Sequence, residues 1–488
     1  MPPQKGKLMA AIALLITAVL TGITLIRITE KDVSTQLTRD ISKLGILKFD
    51  GETAYLNVTT HWQKISRVDL LKVIRNLIDP NDRYEVGSRV IAEVAKRLAE
   101  DVALQFSIEA AYKTQEYLIN FKNGVLNFLT GEFTTDRSKW IFDYVLNVNY
   151  VEHCTEKDCP NFMKFIKTSA GLENLQCILI SLGFGISSLN GVKKAIFLFG
   201  DTDGGKSTLL NFLSNAVAPE LVSNINFQQL SNGYFVVQLL GKKLNISYDN
   251  SSKAMDNEQM FKSIVACERI SARALRENPV QFVPTAKLFF ASNKPYTYKN
   301  PDLALYRRMV FIPFEYSIPP EEQDKELSMK LEQERDIVFS LAARTLKEFV
   351  ESGYDFKMSP KAKAYLKSRI VALNNVEEFL SEIAVVDEKG SVVGALLYEK
   401  YKEWCKVNLQ IPVELSEFKE RVAAYAPNIE PKKVGDKRHR RAGFKGIRLK
   451  TAEELNAPDD NKEDEELNAP NDNKEDEELN APDNSKED

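Results

Sequence analysis

Cysteine is scarce: five in 488 residues, Cys154, Cys159, Cys177, Cys267 and Cys405, an odd number. That excludes a disulfide scaffold and fits a reducing, cytoplasmic compartment. Metal ligands are equally thin. Cys154 and Cys159 flank a short polar loop beside His153, but no second ligand pair lies at zinc-site spacing, so these read as ordinary loop thiols. Net charge is small as well, −4 for the whole chain. That near-balance averages two opposite regions. From Thr451 onward there are 16 acidic residues against 3 Lys, which leaves a body of residues 1–450 at +9. A basic body favours a polyanionic partner.

At 488 residues the chain is too long for one core. Near its start, Leu8–Ile26 is a run of 19 uncharged residues between Lys7 and Arg27. By length it could span a bilayer. Four alanines, three threonines and a glycine make it only moderately apolar. Two readings stand, a membrane anchor or a buried helix. No clear small-x-small cleavage site follows, so a secretory signal is not read.

The rest divides by pattern. Residues 31–165 form a mixed, mainly helical domain: Val68–Ile78 and Val90–Leu104 carry apolar residues at i, i+3 and i+4. Tyr117–Phe133 reads as two short strands joined at Asn123-Gly124, with a second turn at Thr130-Gly131. Residues 166–345 alternate buried strands with helical stretches, which predicts an α/β domain with a mainly parallel sheet. The strands are Ala195–Phe199, Leu244–Tyr248, Lys287–Ala291 and Met309–Phe314. Residues 346–450 begin with helices (Ile337–Glu351, Val376–Ile383, Leu396–Val407) and end in short strands. The last 36 residues are three copies of a twelve-residue acidic repeat, EELNAPDDNKED, EELNAPNDNKED and EELNAPDNSKED. With one large apolar residue per copy, the tail of 451–488 is expected to be disordered.

The strongest chemical signal is Gly200-Asp201-Thr202-Asp203-Gly204-Gly205-Lys206-Ser207, a full match to G-x-x-x-x-G-K-[ST] between a buried strand and a helix. Glycines let backbone N–H groups and the helix N-terminus wrap a triphosphate. Lys206 would reach the β- and γ-phosphates, Ser207 would bind Mg²⁺, and Thr208 completes the helix start. Downstream, Asp249 ends a second apolar strand, where an acid beside the loop can hold Mg²⁺ and polarise water. The plain alternative is a strand-ending Asp in a turn. Asn293 ends a third strand and can bond the γ-phosphate or the lytic water; it could equally start the turn completed by Pro295. Arg307 and Arg308 precede a fourth strand, and a guanidinium from a neighbouring subunit can stabilise a transferring phosphoryl group. A surface arginine pair is common, so this signal alone is weak.

These four elements, in this order and spacing, resemble the superfamily-3 helicases of phage and plasmid primase-helicases and the poxvirus helicase-primase. Phe261–Arg276 and Phe282–Leu288 look like the family's segment between the acidic and asparagine strands. Asn123-Gly124-Val-Leu, Tyr144–Tyr150 and Cys159-Pro-x-Phe162 look like its preceding helical domain. Tyr398–Cys405 and Phe444–Leu449 resemble its C-terminal winged-helix-like domain. The likeness runs over roughly residues 110–450.

The resemblance implies an α/β, AAA+-like P-loop ATPase with a C-terminal winged-helix-like domain, using ATP and Mg²⁺. It implies a hexameric ring on single-stranded and forked DNA, working with a separate primase or initiator. Gly200–Thr208 would bind nucleotide, Asp249 the metal, Asn293 the hydrolytic water, and Arg307 or Arg308 the next subunit's phosphate. Arg269, Arg273 and Arg276 would grip DNA, or be surface charges on a helix. Two departures stand out. Members usually carry Glu where Asp249 stands, which makes Glu258 and Glu268 candidate assisting acids, and an initiator that uses nucleotide only as an assembly switch is the alternative reading. No acidic pair of a primase module precedes the loop. Finally, Lys432–Lys450 holds nine Lys/Arg and one Asp, and Lys437, Arg438, Arg440 and Arg441 are candidate phosphate contacts or a solubilising edge.

Overall fold

The computed structural model describes residues 23–248, 258–274, 276–293, 303–316, 323–371, 375–408, 412–435, 440–451 and 454. The apolar segment up to residue 22, Asp249, Lys437, Arg438 and the acidic repeats beyond Glu454 lie outside the described residues. The chain forms two compact units, Met1–Lys367 and Ser368–Asp488.

The first unit opens with α1 (Val33–Lys43), an antiparallel sheet of β1 (Leu47–Asp50), β2 (Thr53–Asn57) and β3 (Trp62–Ile65), then α2 (Arg67–Leu77) and α3 (Ser88–Glu100). Side-chain caps start two of these helices: Asp32 accepts from Thr35 N–H, and Ser66 from Asp69 N–H. The stripe Ile91, Val94, Ala95 and Leu98 on α3 closes a core with Leu37, Phe49, Leu56 and Ile74. After α4 (Ile108–Thr114), the hairpin of β4 (Leu118–Phe121) and β5 (Gly124–Asn127), with β6 (Phe133–Thr134) beyond its second turn, packs into a different core, the one that encloses the sheet below.

That larger core holds α5 (Pro160–Ser169) and α6 (Leu175–Ile186), then β7 (Ala195–Phe199) and α7 (Lys206–Asn215). The chain continues through β8 (Val222–Ser223), α8 (Gly233–Val236), β9 (Leu244–Ser247) and α9 (Glu258–Val265). A hairpin of β10 (Ile270–Ala272) and β11 (Val280–Phe282) precedes β12 (Lys287–Ser292), α10 (Leu303–Tyr306), β13 (Met309–Pro313) and α11 (Leu327–Glu351). Five strands form one parallel sheet in the order β13-β7-β12-β9-β8. β7, β9, β12 and β13 are buried along nearly their whole length, as suits strands covered on both faces. The strand directly beside β7 is β12, and β9 comes after it. The chain reaches β9 first but inserts β12 between it and β7. α6 is buried from Cys177 to Ile186 and lies against α11, where a Cβ at Gly183 would run into the Ala342 carbonyl. Among the described residues no single helix is long and apolar enough to cross a membrane.

In the second unit, after α12 (Pro360–Val371), α13 (Asn375–Ile383), β14 (Ala384–Val393), α14 (Gly394–Val407), α15 (Leu415–Tyr425), β15 (Glu430–Val434) and β16 (Arg441–Leu449) follow in order. The three strands make an antiparallel sheet, β14-β16-β15, over a core of Phe379, Leu397, Tyr401, Phe418 and Phe444.

Two lysines are buried at the N-terminal edge of the parallel sheet. Lys243 Nζ donates to Ser187 O at 3.0 Å and sits 3.7 Å from the Tyr144 ring centre. Lys287 Nζ donates to Leu189 O and, at 3.0 Å, to Asn190 Oδ1. They anchor the turn after α6. Burial holds the Lys243 ammonium well below its ordinary range, with Lys287 adding repulsion. The fold therefore binds this proton less tightly than the unfolded chain does. The stability penalty is present below the unfolded value of 10.5 and shrinks as pH rises toward it. Accordingly, the melting temperature of Lys243→Met minus that of the wild type should fall as pH is raised from 7 to 9.5, and a flat difference by scanning calorimetry would contradict the buried cation.

Candidate functional site

β7 is apolar and buried to Leu198, and the chain must then leave the sheet sharply. Gly200 allows this at φ +144°; a Cβ there would run into the Phe314 carbonyl. Gly205 takes φ +89° as the residue before α7, and a Cβ there would lie 2.7 Å from the Phe165 ring and 2.8 Å from Ser169 Oγ. Between them Asp203 is held at φ +61°, uncommon for a residue with a side chain. No side chain caps the N-terminus of α7. Its first amides thus remain available to an anion.

Lys206 begins that helix and is 6% exposed. Its ammonium turns back into the loop, 2.9 Å from Gly200 O and 2.5 Å from Asp201 O. An ammonium bonded to carbonyls in a glycine-rich loop can transfer to anionic oxygens, which are stronger partners. Across from it Asn293 follows β12, whose Ser292 is level with Phe199, and its Nδ2 donates to Thr202 Oγ1 at 3.2 Å. Loop and asparagine share one cavity of about 400 Å³, which includes Ser207 and Thr208. The volume is adequate for a nucleotide.

Sequence reasoning missed the far wall. Phe165 and Ser169 of α5 and Gln323, Asp324, Leu327 and Ser328 at the start of α11 line the same cavity. Ser169 Oγ is buried without a hydrogen-bond partner. A hydrogen bond from Lys330 holds the Asp324 carboxyl below its ordinary range. These positions lie on two helices remote in sequence from the glycine loop, and only the tertiary fold unites them.

The other predicted residues fall elsewhere. Arg307 and Arg308 precede β13, where Met309 is level with Ala195. The loop leaves the opposite end of β7, roughly 17 Å away at the usual strand rise. The pair cannot serve its own chain's loop. Arg308 donates to Ala304 O at 2.8 Å, and the Arg307 carbonyl accepts from Lys194. Arg269, Arg273 and Arg276 belong to the β10–β11 hairpin and its approach, not to a helix as the alternative had it. Arg276 lies in its turn at φ +66°. Arg269 pairs with Glu109 on α4 at 2.8 Å. Arg273 donates to Tyr234 Oη at 2.7 Å, its guanidinium 5.2 Å from the ring centre. Tyr234 is 42% exposed and was not singled out by the sequence. Glu258 heads α9 and is buried; Glu268 is exposed. Arg440 and Arg441 are exposed at the start of β16. Cys154 and Cys159 are buried, and among the described residues no group of three or more His, Cys, Asp or Glu could hold a metal ion.

The class this fold and site define is a mixed α/β protein with a glycine-rich loop at the carboxyl end of a five-stranded parallel sheet. Two families match parts of the chain: "D5 N terminal like" over residues 41–169 and "Family of unknown function (DUF5906)" over residues 198–308. The chain is 28% identical over 258 residues to the "Putative helicase L207/L206" of Acanthamoeba polyphaga mimivirus, a match that takes in 51% of this chain and 26% of that protein. The chain thus spans about a quarter of the length of this curated relative. Among solved structures, the apo C-terminal region of NrS-1 aligns with a TM-score of 0.47 and 12% identity, over 86% of this chain and 100% of that one. The A form of that region gives a TM-score of 0.44 and 14% identity, over 81% and 87%.

The Gly200 contact yields a sharp expectation. Gly200→Ala must either push Phe314 aside or change the loop, costing about 1–3 kcal/mol. The variant should melt several degrees lower by scanning calorimetry; a wild-type melting temperature would mean the loop does not need this shape.

Proposed function

We propose that the chain is an ATP-driven DNA helicase of the superfamily-3 type, serving replication of a viral, phage or plasmid genome. The observation that carries this reading is the loop: a complete phosphate-binding sequence folded between a buried parallel strand and an uncapped helix, with the Lys206 ammonium inside it. Similarity to a viral putative helicase and to the D5 N terminal like family supports the assignment to nucleic-acid replication.

In this mechanism the loop amides and Lys206 hold the triphosphate and stabilise charge as the γ-phosphoryl group leaves. The cavity fits such a ligand: glycines stand where a Cβ would fill the cradle, and the Ser169 hydroxyl lacks a partner. Ser207 and Asp249 are the residues that would hold Mg²⁺, which neutralises phosphate charge. Asn293, bonded to Thr202, orients the attacking water, and Asp249 accepts its proton. Because Arg307 and Arg308 sit at the wrong end of β7 for their own site, the arginine that completes the pocket comes from an adjacent copy in a ring. The β10–β11 hairpin grips single-stranded DNA, with Arg273 and Arg276 on phosphates and the Tyr234 ring beneath a base. The three-stranded sheet and helices of the second unit serve as a winged-helix-like DNA-binding part.

The test is ATP hydrolysis with and without single-stranded DNA. Lys206→Ala and Arg308→Ala should each lower turnover by about 10²-fold or more. An equimolar mixture of the two should regain part of it, since some sites then combine an intact loop with an intact arginine. Wild-type protein that hydrolyses no ATP with DNA present would overturn the reading. Hydrolysis without displacement of a strand from a forked duplex would favour a switch-like initiator, which the shorter acid at Asp249 makes the natural rival. Tyr234→Ala should weaken binding of oligo-dT several-fold while leaving DNA-free hydrolysis unchanged, measured by anisotropy and phosphate release.

A further inference from the structure

The second unit carries a cavity that the ATPase reading does not use. It is a groove of about 520 Å³ between the first turn of α14, the start of α15 and the β15–β16 edge. Its floor is apolar, made by Val393, Leu415, Pro431 and Phe444. Its rim is cationic, with Lys419, Lys432, Lys433 and Arg441 all exposed. Of these four, among the described residues, only Lys432 has a carboxylate within 4.0 Å, that of Glu430. An apolar trough edged by positive charge fits a segment that presents one aliphatic side chain between carboxylates.

The chain itself contains that segment three times. Each tail repeat opens Glu-Glu-Leu-Asn-Ala-Pro, with its single leucine behind two acids, and the tail carries 16 acidic residues against 3 lysines. Its described acid, Glu454, already meets this unit. Glu454 forms a bidentate pair with Arg448 of β16, both bonds 2.7 Å, and Thr451 N–H donates to the same carboxylate at 2.8 Å. Asp387 also takes Arg448 at 3.1 Å. The chain beyond β16 therefore starts out bound to the basic sheet rather than leading away from it.

Reach selects the repeats. The groove lies by Arg441–Phe444, and β16 runs about 27 Å back from there to Leu449. Leu455 is four residues from Thr451 and spans at most about 14 Å, too short, whereas Leu467 is sixteen residues away and spans up to about 55 Å. We propose that the groove on the second unit is a docking site for the Glu-Glu-Leu units at Leu467 and Leu479 of this chain's own tail, the leucine on the apolar floor and the acids on the Lys/Arg rim. Tethering gives these units a high effective concentration, so weak individual contacts suffice. The tail thereby screens a basic surface from other polyanions.

The probe is a fluorescein-labelled peptide of residues 465–476 (EELNAPNDNKED), followed by anisotropy at low salt. It should bind the chain ending at Glu454 at least tenfold more tightly than the full chain, whose groove is filled. Full-length protein with Leu467→Ser and Leu479→Ser should behave like the shortened chain, which guards against a truncation artefact. Lys419→Glu with Arg441→Glu should weaken the peptide at least tenfold. Equal binding to full and shortened chains, indifference to the rim reversals, or equal affinity of a Leu467→Ser peptide would overturn the proposal. So would an oligonucleotide that occupies the groove while the peptide does not bind, which would make the surface a nucleic-acid site.

Discussion

Space for one missing methyl group governs the architecture of the loop. Gly200 lies against the Phe314 carbonyl because β13 runs beside β7 in parallel and ends level with it, Pro313 opposite Phe199, so that Phe314 is the next residue out. This contact bends the chain out of the sheet, so that the next residues climb into left-handed backbone at Asp203 and Gly205 and deliver Lys206 to the head of α7. On the other flank β12 brings Asn293 to Thr202. Neither neighbour is adjacent in sequence. The loop is thus shaped by two strands that are made about a hundred residues after it, and it cannot take its form until the parallel sheet has closed.

Much of this was legible beforehand, for identifiable reasons. β7 and β13 are uninterrupted apolar runs and β12 holds one from Leu288 to Ala291, the pattern of strands buried on both faces, while β9 interrupts its run with Asn245. α7 announces itself by the glycine-lysine turn before it. The hairpin of β10 and β11 was not visible, since strands of three residues are too short to show a periodicity, and its arginines could equally have lined a helix. Order within the sheet was also hidden: periodicity identifies strands, but not that β12 would enter between β7 and β9.

The candidate site divides along the same line. Residues within the glycine motif could be named because local backbone chemistry demands them. Phe165 and Ser169 could not, because nothing local distinguishes them from other positions on the amphipathic helix α5. Lys243 and Lys287 were hidden for the opposite reason. A lysine at the edge of an apolar run reads as the place where a strand meets water, yet both are buried and spend their ammonium groups on the turn after α6. Tyr234 looked like one aromatic among seventeen tyrosines until Arg273 was found over its ring.

The placement of Arg307 and Arg308 at one end of β7, and of the glycine loop at the other, has a geometric corollary. A copy that lends its arginines to a neighbour keeps its own loop unserved on the opposite side. Two copies can satisfy each other only by lying antiparallel, which exhausts both. Any other match is directional, with a donor pole and an acceptor pole, and such a contact propagates from copy to copy until the rotation closes on itself or runs on as a filament. In the proposed ring, the length of a five-residue strand would be the offset that gives the assembly its polarity.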